Sequence, residues 1–273
     1  MEKEGFIGEG IKPYQKLIGR DYQVIFNLYR EVHLFAQRFK YELKPTQVEV
    51  QKIIVVALFV KALLTYQSIY VLITNCLTND AENLLRTLFD SVVRIKYCLK
   101  GEEFFERYAH SHNRKILGWL EEAKKHPDEF PPEMQTRGNI IKRIEEVKAD
   151  LKSAGDPKEI KTWEMAKECG LMKLYNTFYR TASDGVHANL SNLEQFLHID
   201  EKKRVESFQL GPTLSKENIA FPSIFSVELL LIAMGELAIF FGVKTIEEEF
   251  SELARRKDEC AKKCFSAYEV CPL

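Results

Sequence analysis

The length, composition and charge of the chain together indicate a soluble globular protein. Its 273 residues can bury a substantial core, and 45% hydrophobic with 29% charged residues is typical of folded rather than disordered chains. A net charge of −1 at pH 7 gives no global basic field, which argues against duplex DNA but not against a small substrate or a short RNA segment.

Helical periodicity dominates the chain and predicts an all-α fold, an irregular antiparallel multi-helix bundle with at most one short β-hairpin. Proline and glycine residues fall where helices can end. The predicted helices are Tyr14–Tyr41, Thr46–Leu77, Asp80–Lys100, Glu102–Lys125, Pro132–Ser153, Lys158–Lys167, Met172–Ala182, Val186–His198, Pro222–Gly242 and Thr245–Tyr268. The segment Arg204–Leu214 is the one credible hairpin, closed by Gly211 and Pro212.

A single helical domain is predicted over residues 1–273, because no repeat, low-complexity tract or linker divides the chain. The core of this domain is expected to span about 46–242. The charged stretch at 132–168 is predicted to form a protruding helical excursion, and 243–273 a C-terminal helix.

Two apolar runs, Ile53–Ile73 and Ser223–Val243, are long enough to resemble membrane spans. Lys61 lies near the middle of the first run, and Glu228 and Glu236 interrupt the second. Because a charge in mid-span costs roughly 2.5–3.5 kcal/mol on insertion, we expect both runs to be central helices of a soluble bundle, and we expect no membrane partner. A buried Lys61 would then pair with Glu228 or Glu236, and the sequence leaves open which.

The amino-terminal segment and the cysteines predict a cytoplasmic protein without a metal. The segment MEKEGFIGEGIKPYQK has no apolar signal-peptide core. The six scattered cysteines are typical of reduced thiols. Cys260, Cys264 and Cys271 form a loose cluster that lacks a nearby histidine, so we expect no metal site and no cofactor.

The predicted helix Asp80–Lys100 carries a polar stripe opposite its apolar side. The stripe contains Asn83, Arg86, Asp90 and Arg94, and Arg86 lies one helical turn before Asp90. Either the stripe faces a cleft in which Asp90 orients an arginine toward an anion, or it is a solvated face with a surface ion pair. The residues alone favour the second interpretation.

The following helix places His112 on its apolar face together with Tyr108 and Trp119. We therefore expect His112 to point inward among aromatic side chains. A histidine in such a position is most often a packed core residue. In the alternative interpretation it lines a polar cavity, in which Asp90 and His112 would act on a different small substrate.

The stretch YRTASDGVHAN, Tyr179–Asn189, is the candidate active site. Asp184 and Gly185 predict a junction between two helices, with Arg180 before it and His187 in the first turn after it. The positive end of the helix dipole would hold the His187 imidazole neutral, as a general base requires, and Arg180 would attract phosphate. The pattern suits metal-independent phosphodiester cleavage, and a capped helical turn with a surface arginine and a packed histidine is the alternative.

The spacing of Arg180 and His187 in an all-helical chain resembles the motif of the HEPN superfamily (higher eukaryotes and prokaryotes nucleotide-binding domains). The resemblance implies a metal-independent ribonuclease or nucleotide-binding protein that acts as a homodimer, with Arg180 and His187 as its catalytic pair. The supporting candidates are Arg86, Asp90, His112 and Ser183.

Three stretches taken in order also resemble a bacterial family of uncharacterised all-helical proteins. They are ENLLRTLFDSVVRIKYCL, FFERYAHSH and YRTASDGVHAN. The functional alternative to a nuclease is a non-catalytic dimeric module for binding or scaffolding.

Overall fold

The computed structural model describes residues 5–131, 137–180, 196–200, 204–208 and 214–265, and these form helices with one small hairpin. The helices are α1 Lys12–Asp21, α2 Gln23–Phe39, α3 Val50–Thr74, α4 Thr78–Leu99, α5 Glu102–Lys125, α6 Arg137–Ser153, α7 Thr162–Glu168, α8 Met172–Leu174, α9 Lys216–Phe241 and α10 Glu247–Cys264. The short helix α8 continues as a π-helical turn, Tyr175–Tyr179. Short 3₁₀ turns lie at Gly5–Ile7, Glu9–Ile11 and Pro127–Glu129. The all-α prediction is confirmed.

Two helix boundaries differ from the prediction for local reasons. The predicted helix Tyr14–Tyr41 divides at Tyr22, whose φ of −113° and ψ of 19° leave the helical region. The predicted start at Pro222 is also wrong, because Pro222 lies inside α9. That helix begins earlier because the Ser215 side chain caps it, accepting a hydrogen bond from the backbone N–H of Asn218 at 3.1 Å.

The hairpin forms earlier in the chain than predicted. Strand β1, Leu197–Ile199, pairs antiparallel with strand β2, Val205–Phe208. Asp200 closes the connection, since its side chain accepts hydrogen bonds from the backbone N–H and the Nε of Arg204, both at 2.8 Å. The end of the predicted helix Val186–His198 is therefore a strand. Residues 186–195 of that predicted helix, together with Gly211 and Pro212, lie outside the described residues.

The main hydrophobic core forms where α9 packs against α2, α3 and α4. Its buried side chains come from the two long apolar helices and from α4, as the periodicity predicts. They also come from α2 and α10, which lie outside the span predicted for the core; Phe35 and Phe39 of α2 and Leu253 of α10 are all buried. Helices α5 and α6 share a smaller hydrophobic cluster of their own. The single-domain organisation of residues 1–273 stays a prediction.

Helices α3 and α9 are, among the described helices, the two that length and composition would allow to cross a membrane. They differ in burial, because 67% of the most apolar stretch of α9 is buried within the fold but only 33% of that of α3. The predicted buried ion pair of Lys61 is wrong. Lys61 is exposed on the outer side of α3, and Glu236 instead pairs with Lys96 of α4, with 2.5 Å between Nζ and Oε1.

Candidate functional site

The polar stripe of α4 faces α7 and the π-helical turn Tyr175–Tyr179, so it is half-buried rather than solvated. Asp90 is the centre of this contact. Its carboxylate accepts a hydrogen bond from the Thr162 hydroxyl of α7 at 2.9 Å, and it pairs with the Arg94 guanidinium at 2.9 Å. The Asp90–Arg94 pair has the acid one turn before the base, which is the orientation that the helix dipole favours. The predicted pair of Arg86 with Asp90 is therefore replaced by Arg94 with Asp90.

Arg86 and Asp90 nevertheless meet through a third residue, Tyr179. The Arg86 guanidinium lies over the Tyr179 ring, 4.8 Å from its centroid. The Tyr179 hydroxyl lies 3.4 Å from the Asp90 carboxylate, to which it donates a long hydrogen bond. We call Arg86, Asp90, Arg94, Thr162 and Tyr179 the Tyr179 cluster.

Aromatic packing holds Tyr179 in this position. Its ring stacks on Tyr175 with 5.0 Å between the centroids, and Phe89 of α4 packs against it at 5.2 Å. Tyr179 is buried as a result. Tyr179 is the residue directly before Arg180 in the chain.

Arg180 is exposed and helical, and it is the last described residue of the segment that begins with α8. Within the part of the chain that the structure describes, no carboxylate pairs with its guanidinium. A guanidinium with no such pair keeps its donors for an anion. Ser183 and His187 lie outside the described residues, so the predicted approach of Arg180 to His187 stays a prediction.

The inward orientation predicted for His112 is wrong. His112 is exposed, and so is Trp119, which the periodicity placed on the same inner face. The reason is that α5 packs against α4 with its first half and against α6 with its second, so no single face is buried along its whole length. The neighbouring Ser111 is buried instead, and its hydroxyl accepts a hydrogen bond from the backbone N–H of Ile160 at 2.9 Å.

Burial shifts the titration of two groups near the Tyr179 cluster. Burial raises the pKa of the Tyr108 hydroxyl, and the nearby Arg94 partly offsets this effect. Burial also raises the pKa of Glu82, which lies one turn before Arg86 on α4. A carboxyl with a raised pKa keeps its proton to a higher pH than an exposed carboxyl does.

We expect the substitution Glu82→Gln to raise the midpoint of thermal unfolding at neutral pH, because the amide avoids the cost of burying a charge. The folded pKa of Glu82 lies above its usual value of 4.5, so its contribution to stability is greatest below that value and is lost as the pH rises through the folded pKa. The gain from Glu82→Gln should thus shrink toward pH ~4. Calorimetry at the neutral and the acidic pH measures the rise in the unfolding midpoint, and Glu106→Gln, at an exposed glutamate, is the control. An equal rise at the two pH values would contradict the prediction.

Two members of the cluster were missed from the sequence. Thr162 and Tyr179 carry no motif, and the only signal for Tyr179 was its position directly before Arg180. Among the described residues, no group of three or more His, Cys, Asp or Glu side chains is placed to hold a metal ion. The chemistry that the cluster offers is that of guanidinium groups held next to one carboxylate, which suits an anionic ligand.

Comparison with known protein families gives one match. A family model for DUF5677, described as a family of unknown function, matches residues 52–204, more than half of the chain. The matched span contains the whole Tyr179 cluster together with Arg180 and the segment that carries His187. No curated protein and no solved structure matches the chain. The chain belongs to DUF5677, a family of unknown function.

Proposed function

We propose that the chain is a metal-independent nuclease or nucleotide-binding protein that acts on RNA, with Arg180 and His187 as its reactive pair. The observation that carries this proposal is the Tyr179 cluster, which places Arg86 and Asp90 against the residue that precedes Arg180. Arg86, Asp90 and Arg180 are all candidates from the sequence, and Tyr179, which precedes Arg180, contacts both Arg86 and Asp90.

Charge supports an anionic ligand there. The cluster holds the guanidinium groups of Arg86 and Arg94, and Arg180 follows Tyr179 directly in the chain. Guanidinium groups bind phosphate oxygens bidentately. The small net charge of the whole chain is no obstacle, because a single-stranded segment needs only a local positive groove.

The reaction follows from these roles. Arg180 binds the non-bridging oxygens of one phosphate and stabilises the charge that develops on them. His187 takes the proton of the ribose 2′-hydroxyl, whose oxygen then attacks the adjacent phosphorus. The bond from phosphorus to the 5′ oxygen breaks, and that oxygen receives a proton from the imidazolium. The products are a 2′,3′-cyclic phosphate and a free 5′-hydroxyl, and no redox partner is needed.

We expect single-stranded RNA to bind through Arg180, so that Arg180→Ala weakens binding by about tenfold or more and lowers the slope of log affinity against log salt by about one. Fluorescence anisotropy with a labelled oligonucleotide in EDTA measures both quantities. Arg30→Ala is the matched control, because Arg30 is an exposed arginine on α2. Equal affinity of Arg180→Ala and the wild type would contradict the proposal.

A second candidate function, a non-catalytic dimeric module for binding or scaffolding, is favoured by the exposed apolar side of α3. Both functions fit a homodimer in the cytoplasm, which we include in the proposal. The two functions differ in their dependence on Arg180. A scaffold keeps its interactions with partners when Arg180 is replaced, whereas a nuclease loses its interaction with RNA.

A further inference from the structure

The solvent side of α3 carries a regular apolar pattern. Its members follow one another at alternating steps of three and four residues. They are Val50, Ile53, Ala57, Val60, Leu64, Gln67, Val71 and Thr74. We call this set the α3 seam. Three of its members, Val50, Leu64 and Val71, are 59%, 59% and 56% exposed, which is far more than helix packing leaves open.

The seam lies directly opposite the buried side of α3. Val55, Ala62 and Ile69, spaced seven residues apart, are fully buried in the main core at 0% exposure. The seam repeats with the same period of seven on the other side of the helix. A repeat of 3.5 residues per turn is the pattern by which two helices pack along their whole length, whereas scattered surface residues have no such period.

The seam is complementary to itself when two copies run antiparallel. In each pairing below the two residues lie equally far from Ala62 along α3, so one two-fold axis between the helices, at the level of Ala62, generates all of them. Ile53 faces Val71, Val60 faces Leu64, Ala57 faces Gln67 and Val50 faces Thr74. The apolar side chains thereby meet each other near the axis.

Gln67, the most polar member of the seam, is accommodated in this arrangement. It meets Ala57, the smallest member, so the amide is not crowded. Its Nε2 already donates a hydrogen bond to the Leu63 carbonyl oxygen at 3.2 Å, which limits the cost of covering it.

We propose that two copies of this chain form a two-fold dimer by antiparallel packing of the α3 seam. Pairing two such faces removes on the order of 1,000 Å² from water, the lower limit for a specific interface. The dimer therefore dissociates readily. This proposal is independent of the RNA chemistry at Arg180, and either can fail without the other.

A second copy fits this surface better than a lipid bilayer does. An interfacial helix presents a wide apolar face to lipid and a cationic face to water. The face of α3 opposite the seam is instead buried in the core, and exposed Lys61 and Ser68 border the seam itself. The two Lys61 side chains lie near the axis of the dimer, so salt should screen their repulsion and strengthen association.

Sedimentation of the full chain tests the interface. We expect a concentration-dependent dimer, and we expect Leu64→Glu to weaken it by about tenfold or more, because the carboxylate would be buried against Val60. Ile239→Glu is the matched control, since Ile239 is 82% exposed on α9, away from the seam. Circular dichroism verifies that each variant is folded. A monomeric wild type, or a dimer that Leu64→Glu leaves unchanged, would overturn the proposal.

Disulfide crosslinking tests the antiparallel direction and does not depend on a destabilising variant. Ile53→Cys mixed with Val71→Cys should crosslink, whereas Ile53→Cys alone should not, because its two copies lie about 27 Å apart along the axis. Wild type under the same oxidation controls for the native cysteines. Crosslinking of Ile53→Cys with itself would overturn the antiparallel arrangement. Binding of monomers to anionic lipid vesicles that Leu64→Glu abolishes would assign the seam to lipid instead.

Discussion

Replacing Tyr29 with alanine is expected to lower the free energy of unfolding by about 3–5 kcal/mol, since a fully buried aromatic ring is removed. Tyr29 of α2 and Tyr66 of α3 bind each other reciprocally: each hydroxyl donates to the other residue's backbone carbonyl oxygen, at 2.7 and 2.9 Å. Their rings stack with 3.9 Å between the centroids, and both residues are almost fully buried. Loss of the Tyr29 side chain thus leaves a cavity and removes the hydroxyl that donates to the Tyr66 carbonyl oxygen.

Urea denaturation measures this loss. Tyr29→Phe separates the two causes, because it keeps the ring and should lose only about 1 kcal/mol with the hydrogen bond. Tyr14→Ala is the matched control, since Tyr14 is 38% exposed on α1. A Tyr29→Ala protein that loses no more stability than Tyr14→Ala would contradict the role given to this pair.

The same pair links stability to alkaline pH. Burial raises the pKa of both hydroxyls well above the usual 10.0. The folded protein therefore holds these protons more tightly than the unfolded chain does. The contribution of the two hydroxyls to stability is fully present when the pH is below their usual pKa. It is lost as the pH rises through their pKa values in the folded protein.

Much of the fold could be predicted from the sequence because a helix that packs on one side has apolar residues at a regular spacing. The long helices α3, α4 and α5 appear in the expected order, and the helical spacing of apolar residues identifies each. The break at Tyr22 could not be predicted, since no proline or glycine marks it. The early start of α9 depends on one capping hydroxyl, that of Ser215, which outweighed Pro222 as a boundary signal.

The candidate site was predictable in part. Spacing on one helix located Asp90 and Arg86 on a common stripe, but it could not show that Arg94 would take the carboxylate. The contact of Arg86 with Tyr179 joins residues that are far apart in sequence, and no local period encodes such a contact. The orientation of His112 was wrong for a related reason: a helix that packs against two different partners has no single buried face.

Metal-free cleavage of RNA tests the central claim most directly. A labelled single-stranded oligonucleotide is incubated in EDTA with the wild type, His187→Ala, Arg180→Ala and the control Arg30→Ala. We predict that the wild type and Arg30→Ala release fragments ending in a 2′,3′-cyclic phosphate. The rate should fall by about 10²-fold or more in His187→Ala, which removes proton transfer, and in Arg180→Ala, which removes the phosphate contact. Cleavage at the wild-type rate by both variants, or none by the wild type, would contradict the account.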